Sequence, residues 1–216
     1  MAEVKFCGLT RSADVRSAVE LGARFVGVIL AEGPRLLHPS GARELLRSVP
    51  PDVRRVGVFG AGSPEAIARE AGDARVDIVQ LHADPTVDLV RALRSCFAGM
   101  IWAVVRAAGE ALPDEAESLF SEADAVVLDT RSAEHLGGTG LTLPWAALAS
   151  RVSAIRGSTP LVIAGGLTPG NVALAIDALS PDIVDVSSGV ERAPGVKDHS
   201  LMSAFMKAAR SSSREA

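Results

Sequence analysis

Apolar, β-branched runs recur along this chain and alternate with segments in which apolar residues return at helical spacing. The runs that read as strands are Val4–Leu9, Phe25–Leu30, Arg55–Phe59, Asp77–Leu81, Met100–Val105, Ala125–Leu128, Leu161–Ala164 and Ile183–Val186. Helical period predicts helices over Ala13–Leu21, Pro39–Ser48, Pro64–Ala71, Thr86–Cys96, Pro144–Val152, Pro169–Leu179 and His199–Arg210. The segment Pro113–Glu122 reads as a poor fifth helix or a loop. Ser63-Pro64-Glu65 and Thr168-Pro169 carry a capping hydroxyl followed by proline, a signature of helix starts. Strands that alternate with helices imply a parallel sheet, and nearly continuous apolar strands imply a sheet covered on both faces. An open doubly wound sheet would place a glycine-rich dinucleotide loop after its first strand, but that position reads Cys7-Gly8-Leu9-Thr10, with no GxGxxG. The expected fold is therefore of the α/β class: a small eight-stranded (β/α)8 (TIM) barrel with short loops and a weak or absent fifth helix. It should fill residues 1–210 as one domain, with 211–216 a disordered tail.

Composition narrows the function classes. A net charge of −4 argues against nucleic acid as a partner, so an anionic ligand must be drawn by a local cluster of donors. No apolar run approaches the roughly 20 residues of a membrane span, and the first residues lack the basic and apolar regions of a secretion signal, so no membrane partner and a cytoplasmic location are expected. The two cysteines, Cys7 and Cys96, form no CxxC pair and have no histidine at metal-ligand spacing, which argues against a disulfide framework or structural zinc. His38, His135 and His199 show no partner spacing and are expected on the surface. No helix shows an obvious exposed apolar stripe, which leaves monomer and homodimer both open.

Candidate chemistry concentrates where strands end. Val184-Asp185-Val186-Ser187-Ser188-Gly189-Val190-Glu191 closes an apolar run in hydroxyls and glycine, and Val162-Ile163-Ala164-Gly165-Gly166-Leu167 is a second run ending in small residues. Such ends bring backbone N–H groups close to a phosphate, and in this class of barrel a phosphate site commonly forms after strands seven and eight. Phosphate-binding candidates are Gly138, Gly140, Gly165, Gly166, Ser187, Ser188 and Gly189.

Seven short motifs, in order and at the expected strand ends, carry a resemblance. They are Val4-Lys5-Phe6-Cys7-Gly8-Leu9-Thr10, Gly33-Pro34-Arg35, Gln80-Leu81-His82, Leu128-Asp129-Thr130 and Gly137-Gly138-Thr139-Gly140. Ala164-Gly165-Gly166-Leu167-Thr168-Pro169 and the segment from Asp185 to Glu191, with Pro194-Gly195-Val196-Lys197-Asp198 beyond it, complete the set. Together they resemble the phosphoribosylanthranilate isomerase family of tryptophan biosynthesis over nearly the whole chain. The resemblance implies a phosphoribosyl small-molecule substrate and an Amadori rearrangement that uses neither metal nor organic cofactor. It also implies Cys7 as the base and Asp129 as the acid.

On chemical grounds Cys7 serves as a base only if nearby positive charge favours its thiolate, which Arg35 and a cationic substrate iminium would supply. Arg35 has a fork suited to the anthranilate carboxylate, and Gln80 and His82 are placed to line the aromatic pocket. Asp185 has two readings of equal weight, a bond to a sugar hydroxyl or a part in organising the barrel floor. The related histidine-pathway isomerases use aspartate where this chain has Cys7. A non-catalytic phosphate-binding barrel would need the glycine loops but neither Cys7 nor Asp129.

Overall fold

The computed structural model describes residues 1–129 and 145–211. Eight parallel strands close into a barrel in chain order: β1 (Glu3–Phe6), β2 (Phe25–Ile29), β3 (Arg54–Phe59), β4 (Ile78–Leu81), β5 (Met100–Arg106), β6 (Ala125–Asp129), β7 (Leu161–Ala164) and β8 (Ile183–Val186). The helices between them are α1 (Ser12–Glu20), α2 (Pro39–Leu46), α3 (Pro64–Ala74), α4 (Val87–Arg94), α5 (Ala116–Glu122), α6 (Trp145–Ile155) and α7 (Val172–Leu179), and α8 (His199–Ser211) follows the last strand. After a 3₁₀ turn at Ser188–Val190, a small antiparallel hairpin forms from β9 (Glu191–Ala193) and β10 (Val196–Lys197).

Alternation along each strand divides the buried residues into two shells. Val4, Phe6, Val26, Val28, Val79, Leu81, Val126 and Leu128 face outward and pack under the helices. Phe25, Val56, Ile78, Trp102, Val104, Ala125, Val127, Val162 and Ile183 form a separate cluster that fills the lower part of the barrel interior. Within it Phe25 and Trp102 meet edge-on, ring centroids 5.2 Å apart. The same inward faces continue upward as Lys5 and Cys7 on β1 and its end, Gln80 on β4, Asp129 on β6 and Asp185 on β8, all buried. The interior is thus apolar at the strand starts and polar at the strand ends.

Boundaries differ from expectation where backbone chemistry intervenes. The chain leaves β1 after Phe6, because Gly8 sits at φ +66 and turns it out of the sheet. The fifth helix exists, but has only seven residues and no side-chain cap on its first turn. Ser63 caps α3 as its sequence suggests, Oγ accepting from the Ala66 N–H at 3.2 Å. Thr168-Pro169 does not open α7. The Thr168 N–H donates to Asn171 Oδ1 at 2.7 Å, which forms a turn and delays the helix to Val172. The last helix runs to Ser211, one residue beyond the expected domain end, and 212–216 lie outside the described residues. No described helix is long and apolar enough to cross a membrane.

Candidate active site

The strand ends surround a cleft of about 310 Å³. Cys7, Arg35, Gln80, His82, Asp129, Gly165, Gly166, Asp185, Ser187, Ser188 and Gly189 all line it, so every sequence-predicted site residue within the described chain converges there. Gly138 and Gly140, predicted to bind phosphate, lie outside the described residues, as does His135.

The barrel closes by pairing β1 with β8, in a register that places Lys5 opposite Asp185. Both side chains point inward, and Lys5 Nζ donates to Asp185 Oδ2 at 2.6 Å and to Gln80 Oε1 at 3.0 Å. Two positions along the same face comes Cys7. Space for this group is made on β2, since a Cβ on Gly27 would lie 2.9 Å from Cys7 Sγ and 3.2 Å from Lys5 Cε. Burial pushes the Cys7 thiol above its usual range, and the charge of Lys5 opposes that push without overcoming it. In the protein without substrate, desolvation of the buried Cys7 side chain therefore outweighs its cationic neighbours. Lys5 is also desolvated, yet Asp185 and Cys7 more than compensate and hold its ammonium above the ordinary lysine value.

Across the cleft, Asp129 ends β6 with His82 Nε2 3.9 Å from its Oδ2. Burial pushes His82 below the usual imidazole value and Arg106 adds to this, while Asp129 opposes. His82 is consequently neutral near pH 7. Its loop is fastened by Arg106, which donates to the His82 carbonyl at 2.5 Å and pairs with Asp84.

Arg35 is half-buried and ion-paired. Its Nε and Nη2 donate to the two carboxylate oxygens of Glu191 at 2.8 and 2.5 Å. Glu191 Oε1 also accepts from Lys197 Nζ at 2.8 Å, and the same Nζ donates to the Ser187 carbonyl at 3.0 Å. Burial pushes Glu191 up, but hydrogen bonds from two cations prevail and hold it below the usual carboxylate range. For Lys197, with one carboxylate against its burial, desolvation prevails and the ammonium is depressed. The network ties the loop after β2 to the loop after β8. In that second loop Gly189 is so close to the loop after β7 that a Cβ on it would fall 1.8 Å from the Leu167 carbonyl oxygen.

Lys5, Glu191 and Lys197 were not singled out from sequence as site residues. A signal existed for Lys5, a lysine inside an apolar strand and two residues from Cys7. Glu191 lies 156 residues from Arg35, and nothing in the sequence indicates their pairing. His199, expected on the surface without a partner, bonds through Nε2 to Asp14 Oδ1 at 2.8 Å, and Asp14 is fully buried.

A barrel with this arrangement has close counterparts. Residues 4–208 match the family model for N-(5'-phosphoribosyl)anthranilate (PRA) isomerase. The chain belongs to the PRA isomerase family. A PRA isomerase of Rubrobacter xylanophilus is 41% identical over 98% of this chain and 100% of its own, and that of Halorubrum lacusprofundi is 40% identical over 95% of each. The crystal structure of the isomerase from Thermotoga maritima superposes with a TM-score of 0.86 at 36% identity, covering 98% of this chain and 100% of the other. A PRA isomerase solved with reduced 1-(o-carboxyphenylamino)-1-deoxyribulose 5-phosphate gives 0.82 at 33% identity over 98% and 100% of the two chains. The PRA isomerase family is the one that the strand-end motifs resemble, and the barrel of its members is the barrel found here.

Proposed function

We propose that this cleft carries out the PRA isomerase step of tryptophan biosynthesis with Cys7 as general base and Asp129 as general acid. The observation that carries the assignment is the placement of the two groups. They end strands β1 and β6, and the strands between them on the short way round the barrel, β7 and β8, end in Gly165, Gly166, Ser187, Ser188 and Gly189. A phosphate held by those loops leaves the sugar between a thiol and a carboxyl. Ser187 Oγ and Asp185 Oδ1 support this reading, being buried atoms on the cleft with no hydrogen-bond partner among the described residues.

Asp129 protonates the furanose ring oxygen, the C1'–O bond breaks, and the nitrogen lone pair forms the iminium. The Cys7 thiolate then takes the C2' proton, the C–H electrons form the C1'–C2' double bond and the iminium becomes a neutral enolamine. Transfer of the enol proton to C1' yields the ketone, 1-(2-carboxyphenylamino)-1-deoxyribulose 5-phosphate. Arg35 has five N–H donors and Glu191 occupies two, so a substrate carboxylate meets the remaining ones at the cleft side. No step calls for a metal or cofactor. One Thermotoga maritima relative is described as dimeric, which supports the homodimer among the two assembly states expected.

The test is a pair of substitutions, read by the fall of substrate fluorescence. Cys7→Ala and Asp129→Asn should each fold and lower kcat by about 10²–10⁴, roughly 3–5 kcal/mol of barrier, with binding of a product analogue retained. An Asp129→Asn enzyme that is less stable but turns over within several-fold of the parent would make Asp129 a strand-end cap and refute its role.

A further inference from the structure

A lysine, Lys5, is buried in the barrel interior two residues before the proposed base. Lys5 is fully buried, an expensive location for an ammonium even when it is paired. Two of its three N–H groups are taken by Asp185 and Gln80. Its stem and the Cys7 sulfur flank the same empty position above Gly27, and the ammonium and the sulfur interact electrostatically.

We propose that Lys5 is the counter-charge of the Cys7 thiolate, a positioning residue whose Nζ is aimed by Asp185 and Gln80 and held against the sulfur by the absence of a side chain at Gly27. Asp185 thereby acquires a definite role. It shares the ammonium with Cys7, and its own negative charge, close to the sulfur, works against the thiolate. Other charged or titratable groups face Cys7 from each element around it. Lys197 on β10 favours the thiolate, Arg35 in the loop after β2 is largely neutralised by Glu191 of β9, and His82 and Asp129 lie across the cleft. Lys5 is the strongest of the groups that favour it. The catalytic consequence rests on Cys7 being the base; the ionisation of Cys7 does not.

The experiment uses the full chain with Cys96→Ser, so that Cys7 is the remaining thiol. Iodoacetamide alkylation of Cys7 and kcat/KM are both followed against pH. Lys5→Met should raise the alkylation midpoint by about one pH unit or more, and Asp185→Asn should lower it. A merely structural role for both residues would not move the two variants in opposite directions. Where Lys5→Met alone fails to fold, the Lys5→Met/Asp185→Asn pair removes both charges. It should still show a raised midpoint, because Lys5 acts on Cys7 more strongly than Asp185 does. Midpoints within about 0.3 units of the parent in the folded variants overturn the proposal. A midpoint that moves while the kcat/KM profile stays put upholds Lys5 as the counter-charge and instead removes Cys7 as the base.

Discussion

Gly189→Ala is a test of whether the loops after β7 and β8 form one phosphate cradle. The added Cβ would fall 1.8 Å from the Leu167 carbonyl oxygen, 2.9 Å from its carbon and 3.3 Å from Thr168 Cα. These are backbone atoms, so no side chain can swing aside. A tolerable carbon–oxygen contact is about 3.3 Å or more, and the two loops must therefore separate by about 1.5 Å. Forcing a methyl group into a packed site costs about 1–3 kcal/mol. At 216 residues each kcal/mol shifts Tm by about 2–4 °C, so Tm should fall by roughly 2–12 °C. The separation also splits Gly165 and Gly166 from Ser187 and Ser188, which together line the cleft. A phosphate bound equally in ground and transition states contributes to KM more than to kcat, so KM should rise about tenfold or more while kcat changes less. Steady-state kinetics by substrate fluorescence and thermal unfolding by circular dichroism read both quantities. Gly157→Ala is the control. Gly157 has φ +55 with open space around it and lies outside the cleft, so it should lower Tm by backbone strain and leave KM alone. A Gly189→Ala enzyme whose KM stays within about twofold of the parent, with Tm lowered, would refute the shared cradle.

Two further outcomes are expected. Arg35→Lys replaces a fork bonded to both oxygens of Glu191 by a single point charge, so KM should rise several-fold with a smaller change in kcat; an unchanged KM removes Arg35 from substrate binding. Asp77 concerns stability: burial pushes its carboxyl up, but the Arg55 side chain and N–H more than offset this and hold it below the usual range. A depressed carboxylate stabilises the fold above its unfolded value of about 3.9 and loses that contribution as pH falls further. In Asp77→Asn, urea midpoints measured down the acid range should therefore decline less below about pH 4 than those of the parent, and parallel curves would remove this contribution.

The eight strands were legible because a strand covered on both faces needs apolar residues at nearly every position, and Val126-Val127-Leu128 or Val162-Ile163 can do little else. The helix starts were legible where capping is local, as at Ser63, and failed at Thr168, where the competing Asn171 turn depends on a side-chain geometry that spacing does not reveal. The placement of Cys7, Asp129 and the small residues after β7 and β8 at the strand ends was legible. What escaped was the partner of each charge. Arg35 meets Glu191 and Lys5 meets Asp185 across nearly the whole chain, pairings that exist only once the barrel closes. The β9–β10 hairpin was missed for another reason: strands of three and two residues are too short to show period, and only Pro194-Gly195, with Gly195 at φ +77, marks the turn.

The β1–β8 seam joins the fold to the chemistry. These strands pair over four residues, and without that ladder the sheet would have two open edges. An apolar pair at positions 5 and 185 would extend the interior cluster upward at no desolvation cost, and buried ion pairs replaced by apolar residues are often neutral or stabilising. The chain instead buries Lys5, Asp185 and Gln80 beside the apolar cluster that includes Trp102, Val127 and Val162. Stability is concentrated where the strands begin and charge where they end. This division explains why Gly27, a poor strand residue, occupies the centre of β2: any side chain there would displace the Lys5 stem or the Cys7 sulfur. The seam therefore accepts a cost in packing so that an ammonium, a thiol and a carboxylate can share one small volume, the arrangement that the proposed proton transfer requires.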